Sequence, residues 1–216
     1  MSFINWNLQP SVVLSTSSVI PVIVIRELEQ AIPLASALLA GGIKVLEVTL
    51  RTEVALDAIQ RLTSTFPDAL IGAGTVTTPG QLQQVIEAGA RFAISPGQTQ
   101  SLLMTGCDGS IPLIPGVSSV SDVMEGLNLG YTHFKFFPAA AAGGISMLKA
   151  IYGPFPQARF CPTGGINEEN FMEYLALPNV SCVGGSWIVP DAAVAKENWP
   201  LITKLAQSVQ GELKEV

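Results

Sequence analysis

Short apolar runs recur along the whole chain, and each ends among Gly, Pro, Ser or Thr residues. They are VIPVIVI (19–25), IKVLEVTL (43–50), ALIGAGTV (69–76), RFAISPG (91–97), SIPLIPGV (110–117), HFKFFPA (133–139), RFCPTGG (159–165) and VSCVGGS (180–186). Runs of this length bounded by turn residues read as strands. Between them lie amphipathic stretches such as LEQAIPLASALLA, EVALDAIQRLTSTF and PGQLQQVIEAG. Each strand therefore leads into a helix, which is the pattern of repeated β/α units. Eight units predict a (β/α)8 TIM barrel, a single α/β domain over residues 1–216. Phe3 to Leu14 reads as a short N-terminal helical arm. The stretch after Trp199, LITKLAQSVQGELKEV, reads as a closing C-terminal helix. Thr78 before Pro79, and Asn167 before Glu168 and Glu169, mark two helix starts. The competing architecture is an open doubly wound sheet. Its dinucleotide-binding form needs G-x-G-x-x-G, whereas Gly72 and Gly74 are followed by Thr77 at the third glycine position.

Composition narrows the functional classes. With 48% hydrophobic and 13% charged residues, the 216-residue chain can bury a sizeable core and is no disordered tail. The net charge of −6, with no Lys/Arg cluster, argues against a nucleic-acid partner. A phosphorylated small molecule remains compatible, because backbone N–H groups bind phosphate without net positive charge. The longest apolar stretch, Val19 to Ile25, is far too short to cross a bilayer, so no membrane partner is expected. Met1 to Leu14 has neither a basic start nor a long apolar run, and no signal peptide is expected. Cys107, Cys161 and Cys182 form no C-x-x-C pair, which fits reduced thiols and a cytoplasmic location. His133 is the sole histidine, which argues against a His-rich metal enzyme; no metal and no cofactor are expected.

Strand parity points to the chemistry. In IKVLEVTLRT, Leu46, Val48 and Leu50 suit packing against helices, and Lys44 shares their outward set. Val45, Glu47, Thr49 and Arg51 then point inward, which aims a carboxylate and a guanidinium towards the barrel mouth. In HFKFFPA, Phe134 and Phe136 suit the outer layer, leaving His133, Lys135 and Phe137 inward. An apolar frame disfavours an ammonium and favours the neutral amine, which can attack a ketone to form a Schiff base. The blander alternatives are a lysine whose stem snorkels from a strand end, or a structural pair with Glu47. Glu47 could shuttle protons or simply pair with Lys135 or Arg51. Arg51 taken alone fits a surface salt bridge better than a carboxylate or phosphate clamp. The pairs Gly164–Gly165 and Gly184–Gly185, beside Thr163 and Ser186, follow the last two strands, where barrels often hold phosphate. A single pair would fit glycine serving only to turn the chain, whereas two pairs after these two strands favour phosphate. His133 sits nearer the strand start and reads as structural. Cys161 and Cys182 read as core, and Cys107 as part of a loop-like stretch.

The motifs GGIKVLEVTLRT, IGAGTV, FAISPG, IPLIPGV, FKFFPA, FCPTGGI and GGSW occur in this order between about Val19 and Val189. In this combination the chain resembles the 2-keto-3-deoxy-6-phosphogluconate (KDPG) aldolases, including the bifunctional enzymes that also cleave 4-hydroxy-2-oxoglutarate (KHG). The resemblance implies a trimeric (β/α)8 barrel and a metal-independent class I aldolase. It implies Lys135 as the Schiff-base lysine and Glu47 as the proton shuttle. Arg51 and Thr75 would hold the carboxylate end of pyruvate, and Pro96 and Phe137 would line the pocket. Thr163 would face the substrate, and Gly164, Gly165, Gly185 and Ser186 would cradle the phosphate. Ala140 and Ala141 depart from the pattern, in a loop that often carries a polar residue. Three rivals remain: a related aldolase acting on the galactonate epimer or an unphosphorylated substrate, a phosphosugar isomerase using Glu47 without a covalent lysine, and a non-catalytic phosphosugar sensor.

Overall fold

A computed structural model describes residue 3 and residues 5–210. A short helix α1 (Pro10–Ser15) precedes the first strand. Strands and helices then alternate: β1 (Val19–Ile23), α2 (Ala31–Ala40), β2 (Val45–Thr49), α3 (Ala55–Thr65), β3 (Leu70–Gly74), α4 (Pro79–Glu87), β4 (Ala93–Ile94) and α5 (Gln100–Asp108). The fifth run holds two strands, β5 (Leu113–Ile114) and β6 (Gly116–Val117). There follow α6 (Val120–Asn128), β7 (His133–Phe136), α7 (Gly144–Tyr152), β8 (Arg159–Pro162), α8 (Phe171–Leu175), β9 (Val183–Gly185), α9 (Asp191–Ala195) and α10 (Trp199–Ser208).

All strand pairs among the described residues are parallel. A six-stranded sheet runs β5-β4-β3-β2-β1-β9, and a three-stranded sheet runs β6-β7-β8. From β1 to β5 and from β6 to β8 each strand neighbours its predecessor, and the last strand, β9, lies beside β1. A doubly wound sheet would reverse direction from a central first strand, so this order excludes it. The curled six-stranded parallel sheet, flanked by helices, is the α/β architecture expected.

Three expectations need correction. The run 110–117 is one strand in the sequence pattern but is broken at Pro115, which has no N–H to give to a ladder. The next amide, that of Gly116, is held instead by Ser95 Oγ at 3.2 Å. Asn167 caps a turn and not a helix: its Oδ1 accepts from the N–H groups of Glu169 and Asn170, and α8 starts only at Phe171. Cys107 lies in the last turn of α5. Gly106 belongs to that helix because a Cβ there would meet the Tyr131 hydroxyl and Leu113. The other start holds as expected, with Thr78 Oγ1 accepting from Gln81 N at 3.1 Å. The N-terminal arm is helical from Pro10, and Ile4 lies outside the described residues. The closing helix is α10, and its expected continuation over 211–216 also lies outside them.

Strand parity divides the core in two. Leu46, Val48, Phe134 and Phe136 pack with helix residues such as Leu34, Leu38, Ile59 and Leu62 in the larger cluster. Val45, Phe92, Ile94, Ile114, Cys161 and Cys182 form a smaller cluster on the opposite strand faces, closed by Val13 and Leu14 of α1. Val45 and Glu47 share a parity, so the inward row changes from apolar to ionisable in one step along β2.

Candidate active site

Glu47 lies in the middle of β2 and Lys135 in the middle of β7, on strands from different sheets. Their side chains nevertheless meet, with Lys135 Nζ donating to Glu47 Oε1 at 3.0 Å. The two side chains are only 4% and 1% exposed. Two ionisable groups are rarely buried this deeply unless paired, and pairing here spans 88 residues of sequence. The Phe137 ring centroid stands 5.5 Å from Nζ, so an aromatic face borders the amine.

The remaining residues singled out from the sequence lie at the C-terminal ends of the parallel strands. Arg51 follows β2, Thr75 follows β3, Pro96 follows β4, Phe137 follows β7, Thr163 follows β8 and Ser186 follows β9. Arg51 is exposed and makes no ion pair among the described residues. Thr75 has φ of 59°, the left-handed region that a β-branched residue rarely occupies. Such strain concentrates where surrounding structure fixes a functional group. Pro96 and Phe137 are half-buried, and Thr163 is buried with its hydroxyl 3.4 Å from the Cys161 carbonyl. Gly164 and Gly165 have φ of 97° and 78°, so both occupy backbone that favours glycine. Among the described residues, the N–H groups of Gly164, Gly165 and Ser186 find no acceptor. Unpaired amides at strand ends are a general means of holding an anion. Gly185 is buried beneath the Trp187 ring, which a Cβ would strike.

Some inward residues are structural. Thr49 shares the parity of Glu47 but is fully buried and donates to the Ile23 carbonyl at 2.8 Å, tying β2 to β1. His133 sits at the start of β7, at the opposite end from the residues above, beside Trp6, Pro10 and Tyr131. Burial, with a smaller contribution from Arg159, pushes its pKa down to about 4. Burial and the neighbouring Cys161 push the Cys182 thiol up, which makes it a poor nucleophile. Sequence reading assigned Gly74 no role at this site and gave Gly184 only a part in a phosphate loop. A Cβ on Gly74 would strike Glu47, and one on Gly184 would strike Thr163 Oγ1. The usable signal was their inward parity on strands whose neighbours carry the polar residues.

The sequence profile of the family described as KDPG and KHG aldolase matches residues 11–205. The chain belongs to this family. Among members of the KDPG and KHG aldolase family, a 2-dehydro-3-deoxy-phosphogluconate aldolase of Pseudoalteromonas atlantica is 58% identical, covering 96% of this chain and 97% of its own. A KHG/KDPG aldolase of Escherichia coli strain K12 is 55% identical over 96% of this chain and 98% of its own. The crystal structure of a KDPG aldolase from Legionella pneumophila superposes with a TM-score of 0.95 at 67% identity, covering 95% of this chain and 100% of that one. That structure holds pyruvate captured at low pH as a covalent carbinolamine intermediate.

Proposed function

We propose that this chain is a class I aldolase, a carbon–carbon lyase. It cleaves KDPG reversibly to pyruvate and D-glyceraldehyde 3-phosphate, and also KHG to pyruvate and glyoxylate. The observation that carries the reading is the buried 3.0 Å contact between Lys135 Nζ and Glu47 Oε1. A proton passing along that hydrogen bond leaves a neutral amine and a carboxylic acid side by side. The amine attacks the C2 ketone, giving a carbinolamine. Glu47 returns its proton to the departing hydroxyl, water leaves, and an iminium forms. Glu47, now a carboxylate, takes the C4 hydroxyl proton as the C3–C4 bond breaks. The electron pair enters the iminium, giving an enamine, and the aldehyde departs. Glu47 protonates the enamine at C3, water adds to the iminium, and pyruvate leaves the lysine. The carbinolamine with pyruvate captured in the Legionella relative corresponds to the species formed when water adds to the pyruvate iminium, the last intermediate of this sequence.

In this reading Arg51 and Thr75 hold the pyruvate carboxylate, Pro96 and Phe137 line the pocket, and Thr163 faces the substrate. Gly164, Gly165, Gly185 and Ser186 cradle the phosphate, which the unpaired amides of the two loops support. We take the sheets to close as one eight-unit barrel in a single domain. Isolated bridges Phe160↔Val180 and Thr163↔Gly184 tie β8 to the β9 segment, and Pro115 alone separates β5 from β6. A trimer working in the cytoplasm completes the reading, and free thiols at all three cysteines agree with a reducing compartment. Borohydride reduction with pyruvate, followed by peptide mass spectrometry, tests the mechanism. A reduced pyruvate adduct on the Lys135 peptide is expected. A folded protein that binds pyruvate without forming the adduct would refute covalent catalysis.

A further inference from the structure

The geometry points to Gly74 as a positioning residue for Glu47. The inference rests on the reading of Glu47 as the proton shuttle. β3 lies beside β2 in parallel register, with Gly72 opposite Glu47 and Gly74 opposite Thr49. Gly72 and Gly74 share the inward face of β3. Their missing side chains serve different neighbours. A Cβ on Gly72 would run into the Phe92 ring, which belongs to the smaller apolar cluster. A Cβ on Gly74 would strike Glu47 Oε1 and come within 2.7 Å of its Cγ and 2.8 Å of its Cδ. Its three nearest neighbours are thus all atoms of Glu47, and one is the oxygen bonded to Lys135.

Backbone conformation does not demand glycine here, since Gly74 is absent from the positive-φ residues. Space does. The Glu47 carboxylate occupies the volume where any L-residue at position 74 would place its Cβ. The carboxylate has little room to give way, because Glu47 is 1% exposed. Gly74 therefore holds open the place from which Glu47 reaches the amine. The next residue, Thr75, is the one with strained backbone.

Gly74→Ala is the test, read on one proton-transfer step. Pyruvate bound as an iminium loses and regains a C3 proton without any aldehyde, so its methyl protons exchange in D2O and can be followed by NMR. A reacting group misplaced by about 1 Å costs on the order of 100-fold in rate. Gly74→Ala is expected to slow exchange by about that factor, while borohydride at saturating pyruvate still traps Lys135 fully. In a Glu47→Ala background, Gly74→Ala should alter neither the residual exchange nor Tm by more than about 3 °C. Unchanged exchange in Gly74→Ala overturns the proposal. So does an equal loss in the Glu47→Ala background, because the glycine would then serve the backbone. If Gly74→Ala alone does not fold, the double variant decides: folding as well as Glu47→Ala supports the clash, and failure to fold overturns it. The broader aldolase reading fails by a separate result, namely wild-type protein that forms no adduct or Lys135→Ala protein that still does.

Discussion

Replacing Lys135 by Met should destabilise the protein strongly, and replacing Glu47 by Leu as well should restore the loss. At 3.0 Å and an effective dielectric of about 20, the pair attracts by roughly 332/(20 × 3.0), or about 5.5 kcal/mol. Burial of the two side chains costs several kcal/mol for each ion, so the pair contributes little net stability. Met at position 135 removes the attraction but leaves Glu47 buried without its partner, which costs about 3–5 kcal/mol. Leu at position 47 then removes the stranded charge. The double variant should match wild type or exceed it by about 1–4 kcal/mol, as apolar replacements of buried pairs often do. Urea denaturation of the four proteins supplies ΔG from midpoint and slope. Two results refute this reasoning: a Lys135→Met variant as stable as wild type, or a double variant no more stable than the weaker single. The expected outcome would mean that the pair is maintained for chemistry at no profit in stability.

Other predictions concern the rim and the far end. Thr75→Gly should raise stability by about 1 kcal/mol, the strain of a left-handed threonine less the entropy of glycine. It should also raise KM in pyruvate trapping, and a variant less stable than wild type would contradict the strain argument. Arg51→Ala should leave stability within about 0.5 kcal/mol, because the residue is exposed and without an ion-pair partner among the described residues. It should weaken pyruvate binding, and an unchanged KM would remove Arg51 from the carboxylate site. His133 is neutral in the folded protein down to a pKa of about 4, against about 6.5 when unfolded. The unfolded chain therefore binds a proton first, and stability falls as pH drops from about 6.5 to 4. The loss should reach about 2 kcal/mol after allowance for partial exposure. His133→Gln should flatten that limb of the profile, and an identical slope in the variant would show that other groups cause it.

The site was legible where a two-residue period met a chemical anomaly. A carboxylate in VLEVT and an amine in HFKF stand mid-strand on inward rows, so parity alone aimed Glu47 and Lys135 at one interior. The motifs supplied the roles and the rim residues. What stayed hidden depended on neighbours remote in sequence. Nothing near Gly74 announces that Glu47, 27 positions earlier, fills the space of its missing side chain. The break at Pro115 is similar, because the fate of the Gly116 amide depends on Ser95, just past the end of β4. The late start of α8 was missed for a local reason: Asn167 satisfies two amides of a turn with the same side-chain oxygen that a helix cap would use.

Glu47 and Lys135 lie on opposite sides of Pro115, in strands of different sheets. A chain divided near that proline would carry the carboxylate on one fragment and the amine on the other. Neither fragment could form the iminium efficiently alone, and reactivity would return only when the two reassembled into native register. The reaction thus doubles as a reporter of complementation: each borohydride-trapped pyruvate would count one correctly joined molecule, with no dye or tag attached.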